Sequence, residues 1–415
     1  MSCSRFASAA MILAVPLVLG MGTASAQTAK PELTWAPCGD VPDTECAGLL
    51  VPIDYAKPDG AKITLRIARA PALDAAKRKG VLLLLPGGPG VGIMEIMAGE
   101  LLWHLSAKDT AQDVERIREA LSLAHGIVSY AASYGSNYGA AYLEAYPENV
   151  KVLILDGVVD HTVDFATFSA RNVMSVQDAF DRFAQWCAQD ATCELHGKDL
   201  GAAFDTAIAR EPKTRTLVPQ LLATGDNPEL GWPALARMLA EVGRGESKLL
   251  KEMTATASLS TADDPWLRVG KDGLFRAVMC ADYGPQRDYA KLAATADTLG
   301  KAAPRFVWKF WDSMPMAHAS AGTGDCVGWP REAVNPPHQL KVGPHRNVMV
   351  SNPTHDPATP LASAVSVWLQ IPQARLLIAD VDGHQSLPLS KCAYEAEGRF
   401  LADPASASST TLCGK

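Results

Sequence analysis

The sequence predicts an α/β fold with a parallel-rich central sheet and a helical insertion, on three observations. A continuous apolar run stands at Val81 to Leu85, and mostly apolar runs of strand length stand at Ile127 to Ala132 and Val150 to Leu155. Strands buried on both faces read this way, without alternation. An amphipathic helix pattern from Thr110 to Leu121 lies between the first two, and an alanine- and tyrosine-rich helical segment follows the second. Strand, helix, strand, helix, strand implies parallel neighbours joined by right-handed crossovers. From about 160 to 345 the pattern turns helical. Strand-like runs resume at Arg346 to Val350 and Arg375 to Ala379.

The first 26 residues are expected to be a removable leader. Arg5 gives a positive start, Ala10 to Gly20 is an apolar run, and Ala24-Ser25-Ala26 has the small residues of a cleavage site. The run is too short to span a bilayer comfortably. Export to a secreted or periplasmic location, without membrane insertion after leader removal, is therefore expected. The net charge is −7, with no basic tract, which argues against nucleic acid or an anionic membrane as partner. The expected domains are the leader 1–26, a first core part 27–159, a mainly helical cap 160–345 and a second core part 346–415.

In chain order, Ala61 to Arg69 alternates with period two, as a strand with one wet face does. The run at Val81 to Leu85 ends in Pro86-Gly87-Gly88-Pro89-Gly90. Glycines there let backbone N–H groups approach a ligand closely. The next strand runs into Ala131-Ala132-Ser133-Tyr134-Gly135 and then a helix. Strand, sharp turn and helix, with serine at the turn, is the nucleophile elbow of an α/β-hydrolase, here with alanine for the first glycine of G-x-S-x-G. In that fold one oxyanion donor follows the nucleophile and another sits in the earlier glycine-rich loop. This points to Tyr134 and to Gly87 and Gly88.

A serine hydroxyl needs a base, and the base needs an acid to hold its tautomer. The expected order is serine, acid, histidine. Ser133, Asp356 and His384 satisfy it, and each follows an apolar strand. Asp382 and His355 compete as acid and base, and Asp356 has a second reading as a helix cap.

Eight cysteines remain after the leader, an even number that reads as disulfides in an exported chain. Many connectivities are open. Short loops favour Cys38–Cys46 and Cys187–Cys193, and Cys280–Cys326 with Cys392–Cys413 would complete the set. The spacings lack the C-x-x-C of a zinc site.

Taken together, the motifs resemble the secreted tripeptidyl aminopeptidases and proline-iminopeptidase-like serine hydrolases with a TAP-like C-terminal domain. The pieces that carry the resemblance are Trp35-Ala-Pro-Cys38, Val51-Pro-Ile-Asp-Tyr55, Pro86 to Gly90, Ser133-Tyr-Gly135 and Leu155-Asp-Gly-Val158. Trp186-Cys187, Cys280-Ala-Asp282, Cys326-Val-Gly-Trp-Pro330, Asp356-Pro-Ala-Thr-Pro360, Gly383-His384 and Lys391-Cys392 extend it. The resemblance implies an α/β-hydrolase fold, its cap inserted after the third core strand following Gly80. It also implies release of short peptides or single residues from free N-termini, with no metal or organic cofactor. Small esters or amides are the other substrates it implies. The family normally has a further strand between Gly88 and Ser133, and none is visible here. A core strand is therefore expected to be missing before the nucleophile. A carboxylesterase with the same triad and a catalytically impaired binding protein are the two alternatives.

Overall fold

The computed structural model describes residues 33–39, 43–72, 74–88, 100–225, 227, 230–259, 275–306 and 326–414. The leader, Pro89-Gly90, the apolar stretch 93–99 and the loop 320–324 lie outside them. A short β1 (Ala36–Pro37) and the hairpin β2 (Glu45–Pro52) and β3 (Lys62–Arg69) form an antiparallel sheet. A second sheet holds β4 (Leu82–Leu85), β5 (Ile127–Ala132), β6 (Val150–Asp156), β7 (Val348–His355), β8 (Arg375–Asp382) and β9 (Thr410–Cys413). Its order is β4-β5-β6-β7-β8-β9 and every pair is parallel. The last strand was not legible as one. It pairs Thr410 to Cys413 against Leu376 to Ala379, and Cys392–Cys413 ties it to the preceding helix.

Helix α1 (Ala107–Ala120) begins three residues before its apolar pattern because Ser106 caps it. Ser106 Oγ accepts from Asp109 N–H at 3.2 Å, and the Asp109 carboxylate accepts from Ser106 N–H at 3.1 Å, a reciprocal capping box. Helix α2 (Gly135–Ala145) follows the elbow. The insertion contains α3 (Phe165–Gln189), α4 (Leu200–Arg210), α5 (Thr214–Ala223), α6 (Trp232–Gly243), α7 (Lys248–Leu259), α8 (residues 275–283) and α9 (Tyr289–Ala302). Proline usually breaks helices, and Pro219 inside α5 hid that helix from the sequence pattern. Phe180, Phe183, Phe204, Leu222, Leu235 and Met238 give these helices a core of their own. Two more, α10 (Leu361–Gln370) and α11 (Lys391–Ala402), complete the chain.

The sheet is covered unevenly, and this corrects one expectation. Helices α1, α2 and α10 bury one face, where Leu85, Ala131, Leu153 and Val350 point. On the other face Val152, Ile154, Met349 and Leu377 meet α11, which lies over β6, β8 and β9. Nothing among the described residues covers β4 there. Leu82 is 47% exposed and Leu84 62%, so β4 is not the doubly buried strand its run of leucines suggests. Its outer edge is also unpaired among the described residues, because the hairpin forms a separate sheet. The hairpin leans instead on α1, where Tyr55 Oη donates to Asp113 at 2.6 Å. Among the described residues no strand joins the two sheets. An exposed apolar edge invites pairing with other chains. Leu84→Lys is expected to reduce light scattering of concentrated protein while changing unfolding stability by no more than about 0.5 kcal/mol. A large loss of stability in urea would show that this face is covered after all.

Candidate active site

Ser133 sits where β5 meets α2, with φ of 56°, in the left-handed region that residues with side chains seldom occupy. Such a conformation costs about 1–3 kcal/mol and persists where the surroundings impose it. Here Ser133 N–H donates to the Asp156 carbonyl at 2.9 Å, and the Ser133 carbonyl accepts from Ser136 N–H at 2.9 Å. Gly135 has no room for a side chain: a Cβ would run into the Leu85 carbonyl oxygen. The alanine that replaces the first elbow glycine has its own accommodation. Ala131 is fully buried, and its methyl lies 3.0 Å from where a Cβ on Gly139 would be. Glycine one turn into α2 makes the space that alanine in β5 takes.

Gly87 faces the nucleophile. A Cβ there would lie 2.9 Å from Ser133 Oγ. Gly88 has φ of 134°, a conformation suited to glycine. The backbone N–H of Tyr134 has no partner among the described residues. Gly87 thus lies against the Ser133 side chain, and Tyr134 follows Ser133 in the chain.

Asp356 follows β7 directly, and His384 follows β8. His384 Nδ1 lies 2.8 and 2.9 Å from the two Asp356 oxygens. Asp356 is 2% exposed and also accepts from Ala358 N–H and Thr359 N–H, each at 2.8 Å, and from Thr359 Oγ1 at 3.0 Å. Pro360, not Asp356, precedes α10 as its cap. The two competitors are engaged elsewhere. Asp382 forms an ion pair with Arg182 of α3, and His355 Nδ1 meets Asp178 at 2.9 Å. No hydrogen bond joins His384 to Ser133 Oγ in this resting geometry. Such bonds often tighten only with substrate present.

The insertion holds the histidine loop. His384 N–H donates to the Ala223 carbonyl at the end of α5, at 2.7 Å. Gly225 and Gly383 pack so closely that a Cβ on either would strike the other segment's backbone. The insertion also reaches beneath the elbow. Asp282 on α8, fully buried, accepts from Tyr134 Oη at 2.6 Å, Asn137 Nδ2 at 3.2 Å and Ala107 N–H at 2.9 Å. Burial pushes its carboxyl up to about 7. Cys280–Cys326 anchors the same helix, and Cys38–Cys46 and Cys187–Cys193 are also paired. The distance of Asp282 from Ser133 along the chain hides this contact from the sequence. Glu241 accepts from Leu249 N–H at 2.8 Å, within the insertion.

Burial opposes a charge on His384, but the Asp356 and Asp156 carboxylates outweigh it and raise its pKa above the ordinary 6.5. A base must be neutral to accept a proton. Reactivity of Ser133 is thus expected to rise with pH along a limb whose midpoint lies above 6.5, read from the rate of phosphonate labelling between pH 5 and 9. A midpoint below 6.5 would contradict this electrostatic reading.

Comparisons with known proteins agree with the parallel α/β core. Residues 103–223 match the model of the alpha/beta hydrolase fold, and residues 313–413 match that of the TAP-like protein. The chain is an α/β-hydrolase-fold protein with a TAP-like C-terminal region. Its relatives are distant. It is 25% identical to "Serine protease Hip1" of Mycobacterium tuberculosis, covering 86% of this chain and 87% of that one. It is 25% identical to "Carboxylesterase B" of the same species, covering 84% of each chain. It is 22% identical to "Tripeptidyl aminopeptidase" of Streptomyces lividans, covering 86% of this chain and 82% of that one. The alignment with the serine protease runs over 475 positions yet takes in only 86% of a 415-residue chain, so the relative carries segments that this hydrolase lacks. The direct pairing of β4 with β5 fits such a loss.

Proposed function

We propose that this hydrolase is an exported serine peptidase releasing short peptides or single residues from peptide N-termini. One observation carries the serine chemistry: a nucleophile-position serine in a left-handed turn, on the same sheet edge as a buried Asp356–His384 pair. Ser133 Oγ attacks the scissile carbonyl while His384 Nε2 takes its proton. Asp356 keeps the remaining proton on Nδ1 and stabilises the imidazolium. The N–H groups of Tyr134 and of the Gly87-Gly88 segment hold the oxyanion. Collapse of the intermediate transfers the proton to the leaving amine and leaves an acyl-enzyme, which water then releases. The aminopeptidase assignment rests on the family resemblance and on the names of the serine protease and tripeptidyl aminopeptidase relatives. Export rests on the leader pattern together with four disulfides, which persist in oxidising compartments.

A carboxylesterase is the second reading, favoured by the relative of that name. Both readings need a reactive Ser133. A fluorophosphonate probe is expected to add at Ser133, located by peptide mapping, and the adduct should vanish in Ser133→Ala. A panel of N-terminally free peptides against short acyl esters then separates peptidase from esterase. A folded, disulfide-intact sample that takes no label would leave the impaired binding protein, for which the β4 edge, unpaired among the described residues, is the structural argument.

A further inference from the structure

Asp156 touches the machinery at both ends without belonging to the triad. It is the last residue of β6 and fully buried. Its carbonyl accepts from the nucleophile's own N–H, that of Ser133, at 2.9 Å. Its carboxylate accepts from Ser386 N–H at 2.8 Å and Leu387 N–H at 3.1 Å, the second and third residues after His384. Tyr130 Oη of β5 adds a third donor at 2.7 Å. The adjoining amide, Gln385 N–H, points to Asp356 at 3.3 Å. Gln385 has φ of 73°, and this left-handed turn aims consecutive amides at two different carboxylates.

We propose that Asp156 is a positioning residue that fixes the nucleophile's backbone and the histidine's loop to one strand end and sets a negative charge beside that loop. The proposal rests on the reading of Ser133 and His384 as nucleophile and base. It assigns the direct hydrogen bond to Nδ1, and hence the tautomer, to Asp356 alone.

The charges around the pair must permit this. Glu397 of α11 faces Asp156 from the second layer and is itself fully buried. Burial, reinforced by the charge on Asp156, holds the Glu397 carboxyl well above the usual range. Among the described residues only Ser351 Oγ bonds to it, at 2.7 Å, and its Oε2 has no partner. Asp156, with three donors, is the member of the pair suited to carry the charge, and Glu397 the member suited to carry the proton. Burial raises the Asp156 carboxyl too, while the Ser386, Tyr130 and Leu387 donors and the nearby His384 pull it back. On the other side of His384 stand Asp356, which bonds to it, and Asp382, whose charge Arg182 offsets.

The test uses Asp156→Asn in the full exported chain, with its disulfides formed. An asparagine keeps the shape but loses the charge and turns an NH2 toward N–H donors. Imidazole NMR of His384 is expected to show a lower titration midpoint. The acid limb of phosphonate labelling should move with it, and the plateau rate should fall at least about 10-fold as the loop loosens. In steady-state assays the loss should appear in kcat and not in KM. Glu397→Gln, neutral like the protonated acid it replaces, should leave the His384 midpoint where it is. An unchanged midpoint in folded Asp156→Asn would overturn the proposal and leave Asp156 a purely structural residue. The NMR reading stands even if wild-type protein takes no label, so failure of the hydrolase reading and failure of this one are distinguishable. Should the variant not fold, amide exchange in the wild type decides. Ser386 and Leu387 should be protected at neutral pH and lose protection on acidification, and rapid exchange at neutral pH would overturn the proposal.

Discussion

Asp356→Asn is expected to lower kcat by about 10⁴-fold with the fold intact. The reason lies at His384 Nδ1. Both Asp356 oxygens lie within 2.9 Å of it, and a carboxylate can only accept. That fixes the proton on Nδ1 and leaves Nε2 free to accept from Ser133. An asparagine can present its NH2 to Nδ1, which moves the ring proton to Nε2 and removes the base. It also removes the charge that favours the imidazolium. Asp382→Asn is the informative comparison, because Asp382 lies two residues before His384 and looks equally suitable in the sequence. Its partner is Arg182, so its loss should loosen the α3 contact and cost far less in kcat. Equal losses in the two variants would refute the choice of acid. Rates of Ser133 labelling, together with urea unfolding of each variant, separate chemistry from stability.

The parallel order of the core and the place of the insertion were legible because each strand is a short apolar run closed by glycine or proline. The proposed nucleophile, acid and base stand out in the sequence because parallel strands deliver their C-terminal ends to one edge, so chain order stands in for proximity. What escaped has physical reasons too. Strand β9 has only Leu412 as a large apolar residue, and that side chain is exposed, so pairing with β8 and the Cys392–Cys413 link define the strand. Helix α5 contains a proline whose missing hydrogen bond the insertion's core outweighs. Leu82 and Leu84 read as buried because a local run does not show that one of its faces meets no covering layer among the described residues. The contacts of Asp282 with the elbow and of Ala223 with the histidine loop join segments far apart in the chain, and no local pattern encodes them. Asp156 was visible inside the Leu155-Asp-Gly-Val158 match, but its role depends on where Ser386 and Leu387 fold back.

Gly87→Ala is the second substitution expected to have a large effect, and it probes how the shortened core bears on the chemistry. A Cβ at this position would lie 2.5 Å from Ser133 Cβ, 2.8 Å from the Ala132 carbonyl oxygen and 2.9 Å from Ser133 Oγ. Something must move. Ser133 is poorly placed to yield, since its left-handed backbone is bound to Asp156 on one side and to Ser136 on the other. The end of β4 is freer, because β5 holds it on one edge and no strand among the described residues holds the other. The added methyl should therefore push the Gly87-Gly88 segment outward, taking the oxyanion donors with it. A displacement of about 1 Å corresponds to about a 100-fold loss in labelling rate. Stability should fall by only about 1–2 kcal/mol, because an open edge relaxes more easily than a filled core. Gly80→Ala, just before the same strand, meets nothing within 4 Å and serves as the control with unchanged labelling. If Gly87→Ala reacted at the wild-type rate, the segment after β4 could not be the wall that holds the oxyanion. A collapse of stability with it would instead mean that β4 is braced on its outer side, contrary to the open edge seen here.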